Sequence, residues 1–192
     1  MRKFVTNLEL RFGGLVLLYV MWFFGDAELL FVVFGNALIH ELGHYIMLSH
    51  YGVRVRKLIF DYTGFTMLCN TSYLPNGANV AVALGGPFMG AVAALIASVL
   101  GNVMQNEFLL LFSGVGVILS AFNLLPAKPL DGWRVVHVIF PALSMGISMI
   151  AACLVLSLGL YVLYLGYGTA LAMLGLVLLL QDDRLNGRRF TF

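Results

Sequence analysis

Two histidines and a glutamate interrupt an apolar run, NALIHELGHYIML at residues 36–48. His40 and His44 stand at i, i+4, so on a helix they lie one above the other on the same face. Two imidazoles so placed can both ligate one Zn2+, and Glu41 beside them can take a proton from a water on that ion. Such an ion lowers the pKa of its water from about 15.7 to about 7, which provides a nucleophile near neutral pH. Ionisable side chains inside a spanning helix are unfavourable by a few kcal/mol each on insertion scales, so by default they mark function. A polar cluster that packs helices together is the plainer, competing reading.

Two imidazoles leave the ion short of partners, because catalytic zinc generally takes three protein ligands and keeps one position open. The best candidate for the third lies in NLLPAKPLDGW, residues 123–133. Pro126 and Pro129 should stop the preceding helix, since proline lacks the N–H and clashes with the turn before it. Asp131-Gly132 then makes a turn, and a broken helix dipping back into the protein would carry Asp131 to the depth of His40. Irregular backbone is tolerated there if it is buried or lines a wet cavity. Read alone, Asp131 is more often a loop-capping aspartate. His50, at a helix end, and His137, after the turn, read as structural histidines.

Composition says what must position these groups. Of 192 residues, 61% are apolar and 10% charged, and the mean hydropathy is +0.96. Soluble domains carry about 25% charged residues. The expectation is an all-α polytopic membrane protein, a single domain over 1–192 whose surroundings are a lipid bilayer. Apolar runs at roughly 8–24, 27–48, 78–100 and 108–125, with a run over 139–180 long enough for two more, make about six transmembrane helices, with five as the alternative. Gly159 or Gly166-Tyr167-Gly168 divides the last run.

The net charge of +2 is small and the basic residues are scattered, so there is no nucleic-acid footprint. With six spans every Lys and Arg falls on one side, while Asp26, Glu28 and Glu107 lie near the opposite loops. The positive-inside rule then puts both termini in the cytoplasm. No A-x-A cleavage signature follows the first apolar run, which reads as a retained helix. Cys69 and Cys153 stand far apart without a CxxC partner, which argues against a disulfide framework or a cysteine metal site. RKLIFDYTGFTML, residues 56–68, is aromatic and β-branched with Gly64 inside and Pro75-Asn76-Gly77 beyond it. It reads as a short hairpin.

Taken together, His40-Glu41-Leu42-Gly43-His44 in one apolar run, Gly85-Gly86-Pro87 in the next, and Asn123, Pro126 and Pro129-Leu130-Asp131-Gly132 closing a third resemble the site-2 protease family of intramembrane zinc metalloproteases. The resemblance covers residues 30–137, within a catalytic core at about 27–137 that is followed by C-terminal helices at about 139–181. It implies a three-helix core, and one Zn2+ per chain held by His40, His44 and Asp131, with Glu41 as general base. It also implies that Asn123 holds the substrate backbone or the developing oxyanion, and that Gly85, Gly86 and Pro87 let helices approach closely. YGVRVRKLIFDYTGF resembles the family's membrane-associated strand segment. Trp133 stands where a second glycine often follows, and Gly90 where a polar residue is common. No PDZ or CBS module is expected. The function implied is cleavage of a membrane-protein or peptide substrate near the cytoplasmic face. The alternative is a catalytically silent homologue that binds or transports a peptide or a metal ion. A purely structural zinc site would want four protein ligands.

Overall fold

The computed structural model describes residues 5–24, 27–61, 64–166 and 169–180. In chain order it contains β1 (Val5–Leu10), α1 (Phe12–Phe24), α2 (Ala27–His50), β2 (Val55–Asp61), β3 (Gly64–Leu68), α3 (Asn76–Met104), α4 (Glu107–Asn123), α5 (Asp131–Ile139), α6 (Ser144–Tyr164) and α7 (Ala170–Leu180). These elements form two compact units that divide between Phe122 and Asn123. Arg2, Lys3, Asp26, Arg184, Arg188 and Arg189, on which the expected orientation partly rests, lie outside the described residues.

Among the described residues, α2, α3 and α6 are long and apolar enough to cross a membrane, at 24, 29 and 21 residues. At 1.5 Å per residue they measure about 31–44 Å, against about 30 Å of hydrocarbon. The remaining apolar runs give shorter helices, with 13 residues described in α1, 17 in α4 and 11 in α7. Against the expected count of about six spans, the described residues thus hold three helices of spanning length.

In the first unit, α2, α3 and α4 pack through small residues. A β-carbon at Gly43 would stand 2.2 Å from the Gly85 carbonyl oxygen, and one at Gly85 would stand 2.8 Å from that of Gly43. Only glycine at both positions lets α2 and α3 touch backbone to backbone, the device of small residues common in membrane helix pairs. Two turns before Gly43 on the same face of α2, the Asn36 amide donates to the carbonyls of Val32 at 2.9 Å and Phe112 at 3.1 Å, which joins α2 to α4.

The expected hairpin is present: β2 and β3 pair antiparallel, with Phe60 opposite Phe65 and Leu58 opposite Met67. Its aromatic and β-branched residues favour a pleated, half-buried surface. A third strand was not expected. β1 pairs parallel to β2, with Leu10 beside Phe60 and Val5 beside Val55, so residues 8–10 are strand where a helix start was anticipated. Local sequence cannot reveal a parallel partner that is so distant along the chain.

The sheet runs alongside α2. At its root, Val53, Val55 and Met67 share a buried apolar cluster with Leu48 of α2 and Val82 of α3. At its tip, the Phe34 ring of α2 lies 5.9 Å from Phe60 and 5.3 Å from Phe65. Leu48 to Phe34 is about 21 Å along a helix, and Val55 to Phe60 about 17 Å along a strand. α1 continues from β1 at the tip, where the Phe60 ring fills the space beside Gly14.

In the second unit, α6 and α7 form an antiparallel hairpin. Gly159 faces Ala172 and Gly175 faces Leu156, each so closely that a β-carbon would stand 2.4 Å from backbone. The reversal falls at Gly166, whose φ of 82° suits glycine, and Gly159 lies inside α6. Asp131, expected in a turn, instead opens the helix α5. An acidic residue in a first turn complements the helix dipole.

Candidate metal centre

α2 carries the two histidines on its buried face. His40 is 5% exposed and His44 1%, and their Nε2 atoms lie 3.1 Å apart. His44 Nδ1–H donates to the Val82 carbonyl of α3 at 2.8 Å. A carbonyl can only accept, so this bond puts the proton on Nδ1 and makes Nε2 the acceptor nitrogen of the ring. Sequence reading gave no hint of this partner, because a backbone acceptor has no residue signature.

These atoms fit a zinc ion. Zinc–imidazole bonds are about 2.0–2.1 Å long, so two nitrogens 3.1 Å apart can share one ion. Metal-ligating histidines characteristically donate their other ring N–H to a carbonyl or carboxylate, as His44 does. Gly86 leaves the cradle open: a β-carbon there would stand 2.3 Å from His44 Nε2 and 2.7 Å from His40 Nε2. The close approach implied for Gly85 and Gly86 is thus seen, for Gly85 at the Gly43 backbone and for Gly86 at the histidines themselves.

Glu41 follows His40 on the same helix and is half-buried. One turn before His40, Asn36 is almost wholly enclosed. Its amide ties α2 to α4, a role that a lone asparagine in an apolar helix could have signalled.

Asp131 and Asn123 belong to the second unit. Asn123 closes α4 and is half-buried, whereas Asp131 is 7% exposed. The loop between them doubles back on α5. A β-carbon at Gly132 would stand 2.1 Å from the Leu124 carbonyl oxygen and 2.5 Å from that of Leu125, so the Asp-Gly pair has a steric reason. Leu130 N–H bonds to the Ala127 carbonyl at 2.9 Å, and Ala127 is fully enclosed.

The other polar groups of this unit make their own network. Lys128 Nζ lies 5.1 Å over the Trp133 ring, which stacks on His137 at 4.9 Å. His137 Nδ1–H donates to Ser144 Oγ at 2.9 Å, and that hydroxyl donates to the Pro141 carbonyl. His137 is exposed. In the first unit, the exposed His50 packs edge-on against Tyr51.

No family model matches the chain. Over 118 residues it is 30% identical to a zinc metalloprotease of Methanocaldococcus jannaschii, which covers 59% of this chain and 34% of that protein. Over 110 residues it is 31% identical to an inferred zinc metalloprotease of Synechocystis sp., covering 54% of this chain and 29% of that protein. The matched segment thus spans about a third of the length of these curated relatives. In three dimensions the chain superimposes on the site-2 protease of Methanocaldococcus jannaschii with a TM-score of 0.68 and 22% identity, over 93% of this chain and 89% of that one.

Proposed function

We propose that the chain, which shares the fold of a site-2 protease and sequence similarity with zinc metalloproteases, is a site-2 protease: a zinc-dependent endopeptidase acting within the membrane. Its substrate is a transmembrane or membrane-associated peptide, cut near the cytoplasmic face. The observation that carries this reading is the convergence of His40 and His44 Nε2 at 3.1 Å, with the His44 tautomer held by Val82.

His40 and His44 of the first unit and Asp131 of the second, each buried, would together supply the donors for one metal ion. Asp131 would add the third protein ligand that two imidazoles lack. When bound, Zn2+ supplies Lewis acidity, making a water acidic and polarising a carbonyl. Glu41 would accept the proton of the attacking water and pass it to the amine nitrogen of the departing strand. The Asn123 amide would donate to the scissile carbonyl oxygen as negative charge develops there. A helical substrate hides its peptide bonds in its own hydrogen bonds. Added as a strand along the outer edge of β3, it would be held open for attack.

The decisive experiment compares purified wild type with Glu41→Gln on candidate membrane-protein substrates, with zinc measured in both. Glutamine keeps the shape and cannot take the proton, so zinc should stay while cleavage falls by about 10²–10⁴. A Glu41→Gln protein that cleaves at close to the wild-type rate would sink the mechanism. A silent binder would keep its function in this variant. For orientation, an impermeant thiol reagent added to intact cells should label Gln105→Cys and spare Arg56→Cys, and the reverse pattern would invert the topology.

A further inference from the structure

α2 ends in a closure that fixes the chain after it. Val53 N–H bonds to the Leu48 carbonyl at 2.8 Å and Gly52 N–H to the Ser49 carbonyl at 3.0 Å. Gly52 takes a φ of 70°, the left-handed turn that completes a Schellman motif. The apolar contact that accompanies this motif is present too, because Val53 and Leu48 share the buried cluster at the root of the sheet. Val55 belongs to the same cluster, so positions 53 and 55 are both held inward. Side chains alternate along an extended chain. Arg54 and Arg56 are therefore held outward, and both are exposed.

These two cations differ from the next one along. Lys57 pairs with Glu9 at 2.9 Å, whereas among the described residues neither Arg54 nor Arg56 has an ion-pair or hydrogen-bond partner. Their side chains leave the backbone about 7 Å apart on one face. Their level is that of a headgroup layer. α2 ends at His50 and α3 begins at Asn76, both helices are of spanning length, and Val82 of α3 joins Leu48 of α2 in the root cluster. Beside these ends Tyr51 and Tyr73 are 38% and 61% exposed, and tyrosine gathers at the boundary between membrane and water. Phosphate is the anion of that layer, and a guanidinium matches it with two parallel N–H donors.

We propose that Arg54 and Arg56 form a binding site for the phosphate of an anionic phospholipid, which moors the root of the sheet to the headgroup layer. A flexible basic tail would gather such lipids by charge alone. Here the capped helix end and the buried valines hold both arginines on one face, so position as well as charge selects the ligand. A moored root keeps the sheet at a constant depth along α2. The site requires α2 and α3 to be membrane spans and does not depend on peptidase activity.

The test is a titration of the purified protein, in neutral detergent, with phosphatidylglycerol or phosphatidylcholine, bound lipid being counted by native mass spectrometry. Wild type should prefer phosphatidylglycerol. Arg54→Gln/Arg56→Gln should bind it about thirtyfold more weakly, which is what two cations near a membrane surface contribute. Its phosphatidylcholine binding and its melting midpoint should not change. Should the double variant fold poorly, each single variant decides, with an expected loss of about fivefold. Lys128→Gln, which removes a cation from the second unit, should keep the wild-type preference. An undiminished preference in the arginine variants, or an equal loss in Lys128→Gln, would overturn the site. Displacement of the lipid by inorganic phosphate or a water-soluble glutamate peptide at equal concentration would overturn the lipid assignment in favour of a soluble anion.

Discussion

Gly86 of α3 faces His44 of α2 so closely that a single added methyl would stand 2.3 Å from His44 Nε2. The glycine is therefore a spatial requirement of the two facing imidazole nitrogens. Gly86→Ala should remove most bound zinc while leaving the helices inserted. Overpacking typically costs about 1–3 kcal/mol, and here it falls on the two histidine Nε2 atoms. Metal analysis of the purified variant checks this, and full zinc content would show that the histidines do not converge as described.

Gly43→Ala should act differently. Its β-carbon would meet the Gly85 carbonyl oxygen at 2.2 Å, which forces α2 and α3 apart along their length. The yield of folded protein and the thermal midpoint should both fall. At Gly114 a β-carbon would meet nothing within 4 Å, so Gly114→Ala should be neutral or gain up to about 1 kcal/mol of helix propensity. Melting curves in detergent separate the two, and equal midpoints would contradict the close approach.

Asp131→Ala should lower zinc affinity substantially, whereas His137→Ala should barely change it. Asp131 is buried, and His137 is exposed and hydrogen-bonded to Ser144. Isothermal titration of the metal-free proteins reads both. Wild-type affinity in Asp131→Ala would remove that carboxylate from the ligand set.

Successive N–H groups of a strand point to opposite edges. Proline at Phe65 and at Thr66 in turn therefore removes one ladder donor and one outward donor. The variant that loses the outward donor should keep zinc and lose most processing, if substrate adds to β3 as a strand. Undiminished processing by both would make the segment a passive loop.

The convergence of the two histidines was legible in the sequence because its periodicity is local. His40 and His44 share a helix face whatever surrounds them, and the hairpin of β2 and β3 announced itself in aromatic and β-branched residues around Gly64. What was hidden depended on distant partners. Val5–Leu10 is too short and mixed to read as a strand until Val55–Phe60 is beside it. The length of an apolar run does not say where a helix begins, so α1 and α4 are shorter than a span requires. The two prolines before Asp131 suggested a turn, yet the chain re-enters a helix there, with Gly132 fitted under the Leu124 carbonyl.

The parallel pairing of β1 with β2 has a consequence for how such a chain is made. β1 leaves the ribosome well before its partner, because Val5 must wait for Val55. Until then its N–H and C=O groups have no strand beside them, and hydrocarbon offers none. The strand half of the opening segment should therefore stay at the aqueous surface while α2 inserts, and enter only when β2 arrives to receive it. Biogenesis would then run out of sequence order, with β1 settling after the α2 that follows it in the chain.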